Sequence, residues 1–175
     1  MRVRNLTNPL SIERAEELAL QLIDPIYNSM PIADSMRVPD VLAGVAAVIE
    51  DGSTIGVVHW TAEVDAQLIF QRGGREDLAV AFGREVRGLQ NIAVAKDHQG
   101  KGVGTALNEH FLEMAHRDGI KTVIGVATGG SASFFEKAGY TVLPPGDTLL
   151  LSFPPAGSDL PFPIDPPSSW FFRHL

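Results

Sequence analysis

Apolar residues recur along this chain with two periods, and the places where the period changes mark out its elements. Val3 to Leu6 is a short β-favouring run broken by Thr7-Asn8-Pro9. Ile12, Ala15, Leu18, Ala19, Leu22 and Ile23 follow at helical spacing, so Ser11 to Ile23 is predicted as a helix with one buried stripe. Glu13, Glu16 and Glu17 lie toward its positive end. Asp24-Pro25 stops it, and a loop or short second helix runs through Tyr27, Met30, Asp34 and Met36 to about Pro39. Val45 to Ile49 and Ile55 to Val64 are β-rich and flank Asp51-Gly52, which predicts an antiparallel hairpin. From Asp65 to Gly88 the pattern is hardest to read: Leu68, Ile69 and Phe70 form an apolar group, Gly73-Gly74 interrupts, and Glu76 to Phe82 has room for a helical turn or two.

The second half is more regular. Leu89 to Val94 ends in an apolar strand pattern, Lys96 to Gln99 is polar, and a helical pattern opens at Gly102 with Val103, Leu107, Phe111, Met114 and Ala115 on one face. His116 and Arg117 suit the negative end of that helix, and Gly119 supplies a left-handed stop. Thr122 to Ala127 is nearly all apolar, as in a strand buried on both faces. Ser131 is placed to cap a short helix over Ala132 to Ala138, ended by Gly139. Tyr140 to Leu143 and Thr148 to Phe153 read as a closing hairpin around Pro144-Pro145-Gly146-Asp147. Pro154 to Leu175 contains six prolines and ends Trp170-Phe171-Phe172; its prolines argue against a central strand or helix. Three aromatics on a free tail would make an exposed apolar patch, so packing on this domain or on a second copy, as in a homodimer, is expected.

Composition narrows the field. A chain of 175 residues with 45% hydrophobic content suits one substantial core, and residues 1–153 read as a single domain followed by the tail 154–175. A net charge of -7 argues against a general nucleic-acid binder and leaves open a small anionic ligand held by local charges such as Lys96 and Lys101. The absence of cysteine removes disulfides, thiolate catalysis and cysteine-ligated metal, and no metal is expected. No window reaches membrane-spanning length, so a cytoplasmic protein with no membrane partner is the simplest expectation.

The chemistry concentrates between Asn91 and Leu107. Gly100, Gly102 and Gly104 permit backbone angles closed to other residues and close approach by a ligand. The loop runs straight into a helix, whose first N–H groups and dipole form a seat for phosphate oxygens, with Lys101 adding charge. A Walker loop is excluded because Gly100-Lys101 is followed by Gly102. A dinucleotide fingerprint is excluded because its third glycine would fall at Thr105.

The pattern Gln99-x-x-Gly102-x-Gly104, following Ile92-Ala93-Val94, closely resembles the GCN5-related N-acetyltransferases. That resemblance implies a mixed α/β fold with a mostly antiparallel central sheet flanked by helices. It also implies acetyl-coenzyme A as acyl donor and an amine of a small molecule or peptide as acceptor. On it, Gln99, Gly100, Lys101, Gly102, Val103, Gly104 and Thr105 hold the diphosphate, while backbone N–H groups at Ile92, Ala93 and Val94 face the pantetheine arm and the thioester oxygen. The segment 65–88 is longer than the family's usual connection and reads as an insertion beside the acceptor pocket, a specificity element or a dimer contact. Tyr27, Asp34 and Met36 are either loop anchors or substrate contacts.

One position departs from the family pattern. The usual proton-donating Tyr of the late helix is Phe135, which can pack against coenzyme A but has no proton to give. Tyr140 stands where the family has a core Phe. Ser131 and Ser133 are alternative donors, with a capping role as the plainer account. The base is equally open: Leu89, Gln90 and Asn91 do not titrate, although Gln90 or Asn91 suits a bound water. Glu85 is a candidate or a solvated charge between Arg84 and Arg87, and His59 a candidate or a satisfied half-buried histidine. Three functions stay open: an N-acetyltransferase, a non-catalytic acyl-coenzyme A module, and an amino-acid acetyltransferase of the arginine-pathway kind, suggested by the paired aromatics Phe134-Phe135.

Overall fold

The computed structural model describes residues 1–22, 32, 36, 43–62, 64–128, 130–152 and 159–175. Tyr27, Asp34 and the end of the expected strand at Phe153 lie outside the described residues. The fold is mixed α/β, with a mostly antiparallel sheet flanked by helices. The chain divides into two compact units, Met1–Ala62 with Leu89–Ala115, and Glu63–Gly88 with His116–Leu175.

In the first unit β1 (Val3–Asn5), β2 (Gly44–Glu50), β3 (Ser53–Thr61) and the second part of β4 (Val86–Val94) lie in the order β1-β2-β3-β4. Asp51 and Gly52 both take positive φ, 47° and 79°, so the β2–β3 turn twists with its strands, and Glu50 pairs with Ser53. Helix α1 (Pro9–Leu22) begins two residues earlier than its apolar stripe suggests. Asn8 Oδ1 accepts from the N–H groups of Leu10 (3.0 Å) and Ser11 (3.4 Å), with Pro9 at the first helical position. The breaker after β1 is therefore also the start signal of the helix. Ile12, Ala15 and Ala19 bury the stripe against Val45, Ala47, Val57 and Ala93. On the other face of the sheet, Trp60 meets Phe111 of α4 (Val103–Arg117), ring centroids 5.6 Å apart.

The second unit holds α2 (Val64–Arg72) and α3 (Glu76–Glu85), so the segment that was hardest to read is two full helices. Phe70, Leu78 and Phe82 pack with Val86, Ile124, Leu149 and Leu151. The start of β4 pairs in parallel with β5 (Thr122–Ala127) from Val86↔Thr122 to Gly88↔Ile124. Helix α5 (Ala132–Lys137) follows.

Two expectations about the last forty residues are corrected. The segments around β6 (Thr141–Val142) and β7 (Leu149–Ser152) do not form a hairpin with each other: β7 pairs with β8 (Asp159–Phe162) in a separate two-stranded sheet. The tail also contains a strand, β9 (Ser169–His174), which lies between β5 and β6 and pairs antiparallel with both. All six prolines precede it, so none removes a donor from its ladder. Phe171 is buried and stacks on Phe135 at 3.8 Å, while Trp170 and Phe172 pack on the opposite core.

Phe171→Ala deletes that stack together with the Tyr140 edge contact at 5.1 Å. A loss of about 3 to 5 kcal/mol is expected in urea denaturation, and a loss below about 1 kcal/mol would show that β9 is not anchored by this ring.

Candidate functional site

Strand β4 changes character along its length. Val86 to Leu89 are all buried, whereas from Gln90 onward buried Asn91 and Ala93 alternate with partly exposed Gln90, Ile92 and Val94. The chain then makes one 3₁₀ turn at Lys96–His98 and enters α4. Gly100 and Gly102 have φ of 71° and 81°. A Cβ added to either would meet nothing within 4 Å, so the requirement for glycine is conformational and the space above the loop is open.

The helix closes with Ala106 N–H donating to Gly102 C=O at 3.0 Å. Among the described residues, none of the N–H groups from Gly100 to Thr105 has a well-formed main-chain hydrogen-bond partner. Orphan donors at the positive end of a fifteen-residue helix are chemically suited to an anion. Gln99 braces the loop from below: its side-chain amide donates to Val94 C=O at 3.0 Å, tying the loop to the end of β4. Val103 and Leu107 brace it from the side by resting on Gly56 of β3, where any Cβ would come within 2.6 Å of Val103 Cγ1 and 3.0 Å of Leu107 Cδ1. The sequence signal for Gly56 was a glycine inside a strand, which marks a close approach.

Charge around the seat is mixed. Lys96 and Lys101 are exposed. The Asp97 carboxyl is held below the usual carboxylate range, first by its hydrogen bond with His98, with Lys101 adding a smaller attraction. His98 lies between two acids, with Nδ1 at 2.9 Å from Asp97 Oδ1 and Nε2 at 3.1 Å from Glu50 Oε2.

The candidates for proton transfer are distributed unevenly. His59 is wholly buried rather than half-buried, and burial pushes its pKa down from 6.5 to about 4. In the same unit Gln90 donates from Nε2 to Thr61 Oγ1 at 3.0 Å, and Asn91 is buried. Thr61 had drawn no attention in the sequence, since a lone Thr in a strand has no motif. Glu85 sits at the end of α3 and is bonded to Lys121 Nζ at 2.7 Å. Ser131 precedes α5 but does not cap it with its side chain; its Oγ accepts from Thr128 N–H at 3.1 Å. Phe135 is buried, sandwiched by Phe171 and in edge contact with Phe134 and Tyr140. Among the described residues no group of acids and histidines suited to hold a metal ion is found, and no helix is long and apolar enough to cross a membrane.

The sequence model of the acetyltransferase (GNAT) domain matches residues 44–142, the span from β2 to β6 that contains this loop. The chain belongs to the GNAT acetyltransferase family, whose fold binds acetyl-coenzyme A. Among solved structures, it is similar to aminoglycoside 6'-acetyltransferase type Ii at 16% identity, covering 99% of this chain and 97% of that one, with a TM-score of 0.63. An aminoglycoside 6'-N-acetyltransferase complexed with coenzyme A matches at 14% identity, 99% and 97% coverage and a TM-score of 0.62. The ribosomal-protein-S18-alanine N-acetyltransferase from Escherichia coli matches at 14% identity, 99% and 92% coverage and a TM-score of 0.58. At these identities the likeness is one of fold.

The depressed pKa of His59 has a measurable consequence for stability. The unfolded chain takes up a proton near pH 6.5 that the folded chain resists until about pH 4, so this group's contribution is intact above pH 6.5 and is lost as the pH falls toward 4. About 3 kcal/mol of acid-induced loss between pH 7 and 4 is expected from it, and His59→Gln is expected to flatten the stability-versus-pH curve by that amount. Parallel curves for the two proteins would assign the acid sensitivity elsewhere.

Proposed function

We propose that this chain transfers the acetyl group of acetyl-coenzyme A to a primary amine of a small molecule or peptide. The observation that carries the proposal is the set of free N–H groups from Gly100 to Thr105 at the head of α4, under glycines that leave the approach open. These amides, with the charge of Lys101 and the brace of Gln99, are suited to hold the diphosphate. The backbone of Ile92, Ala93 and Val94 is proposed to face the pantetheine arm and the thioester oxygen, a role that depends on main-chain donors rather than side chains. When bound, acetyl-coenzyme A supplies an activated thioester carbonyl and a thiolate leaving group.

The chain must then manage protons. The acceptor amine has to be neutral to attack. Gln90, partly exposed and held by Thr61, is proposed to position the water that takes the amine proton. His59 is neutral at physiological pH but too deeply buried and too weak a base to be preferred, and Glu85 is engaged with Lys121. Phe135 has no proton to give and is spent on packing with Phe171 and Tyr140. Residues 1–153 are proposed to act as one acetyltransferase domain, with α2 and α3 of the 65–88 segment shaping acceptor choice, in a cytoplasmic setting that suits a chain without cysteine.

The alternative, a non-catalytic acyl-coenzyme A module, draws on Phe135 alone, which stands where the family has a donor and is fully used in core packing. Free-thiol release from acetyl-coenzyme A, measured against a panel of amines, polyamines, amino acids and N-terminal peptides, separates the two. Acceptor-dependent release is expected; binding of coenzyme A with no release on any acceptor would favour the module.

Gly102→Val places a β-branched residue at φ 81°. Strain of about 1 to 3 kcal/mol is expected to rebuild the loop and weaken coenzyme A binding by about tenfold or more in calorimetry, with the circular-dichroism spectrum retained. Unchanged affinity would remove this loop from the binding site.

A further inference from the structure

We propose that His98 is a positioning residue for the diphosphate loop and that it performs this role as the imidazolium. The inference rests on the reading of Gly100 to Thr105 as the diphosphate seat and adds what holds that seat in place.

The geometry carries the argument. Both ring nitrogens of His98 face carboxylate oxygens, Nδ1 at 2.9 Å from Asp97 and Nε2 at 3.1 Å from Glu50. Carboxylates only accept, and a neutral imidazole has one N–H, so both contacts are hydrogen bonds only when both nitrogens are protonated. Loss of the proton turns one of them into a lone pair facing an anionic oxygen. The bond to Glu50 is the long-range one: it joins the turn before Gly100 to the end of β2, forty-eight residues away in sequence. The backbone N–H of His98 donates to Ala95 C=O at 2.8 Å, so the main chain that carries the ring is part of the 3₁₀ turn that delivers the chain to Gly100.

Charge acts in the same direction. The groups facing His98 are Asp97 from its own turn and Glu50 from β2, with Lys101 within electrostatic reach of Asp97. A seat for an anionic diphosphate beside two carboxylates needs those charges offset. Protonated His98 offsets one of them, and neutral His98 does not. Affinity for a diphosphate ligand is therefore greater when both ring nitrogens of His98 carry a proton than when one does not.

Dephospho-coenzyme A is the suitable probe, because it keeps the diphosphate and lacks the 3'-phosphate, which itself titrates near neutrality. Calorimetry between pH 5.5 and 7.5 is expected to show wild-type affinity falling roughly two- to fivefold, the size of one solvent-exposed charge interaction. His98→Gln is expected to bind at the weaker level throughout, with no slope. The imidazole resonance of His98 is expected to shift when the probe is added, and the dependence of binding on pH is expected to weaken in Glu50→Gln. Equal slopes for wild type and His98→Gln, or a resonance unmoved by the probe, would overturn the proposal while leaving the diphosphate seat intact. No binding by the wild type at any pH would overturn both.

Discussion

The seating of α4 on β3 is the contact on which the proposed phosphate seat depends. Val103 is the first residue of the helix, and its side chain goes down onto Gly56 while its N–H belongs to the open loop. The strand and helix approach so closely only because Gly56 has no Cβ. Inserting even one carbon between packed elements forces a shift of atoms that costs about 1 to 3 kcal/mol. A shift here would also re-aim the first turn. Orphan N–H groups bind an anion well when they converge, and the direction of the first turn is held by this apolar contact rather than by any charge.

Gln99 shows the same economy. In the family pattern it reads as a ligand-binding residue, yet its amide is spent on the carbonyl of Val94. The loop is therefore closed at both of its ends before any ligand arrives, by Gln99 to the strand and by Val103 to the sheet. Preorganisation of this kind lowers the ordering cost of binding. The polar residues of the neighbouring strands are more constrained. Burying His59, Thr61 and Asn91 within a sheet would be unfavourable without partners, and the Gln90–Thr61 bond shows how the strand pair satisfies such groups while leaving Gln90 at the surface.

How much was legible follows the distance over which each signal acts. The loop, its helix and the Asp51-Gly52 turn could be read because their chemistry is complete within a few residues. The polar tether of His98 to Glu50 could not, since nothing in either neighbourhood announces a partner forty-eight residues away. Helices α2 and α3 were blurred by Gly73-Gly74 and by apolar positions too few to establish a period, although Leu78, Ala79 and Phe82 supply a buried stripe once α3 is seen whole. Strand β9 was hidden for another reason. It is covered on both faces, so Trp170-Phe171-Phe172 shows no alternation, and the prolines upstream dominated the composition of the tail. Among the site residues, the proposed backbone donors follow from the loop pattern, whereas Thr61 acts through a contact that carries no motif and Gly56 shows only as a glycine inside a strand.

The position of β9 imposes an order on assembly. Strand β6 is emitted almost thirty residues before β9, yet its ladder is formed with β9 and not with the segment that follows it. Thr141 and Val142 can therefore complete their ladder only once the aromatic strand is in place beside β5. Such late, distant closure slows maturation, and it makes the Phe171 ring the keystone whose arrival converts a partly finished sheet into a completed one.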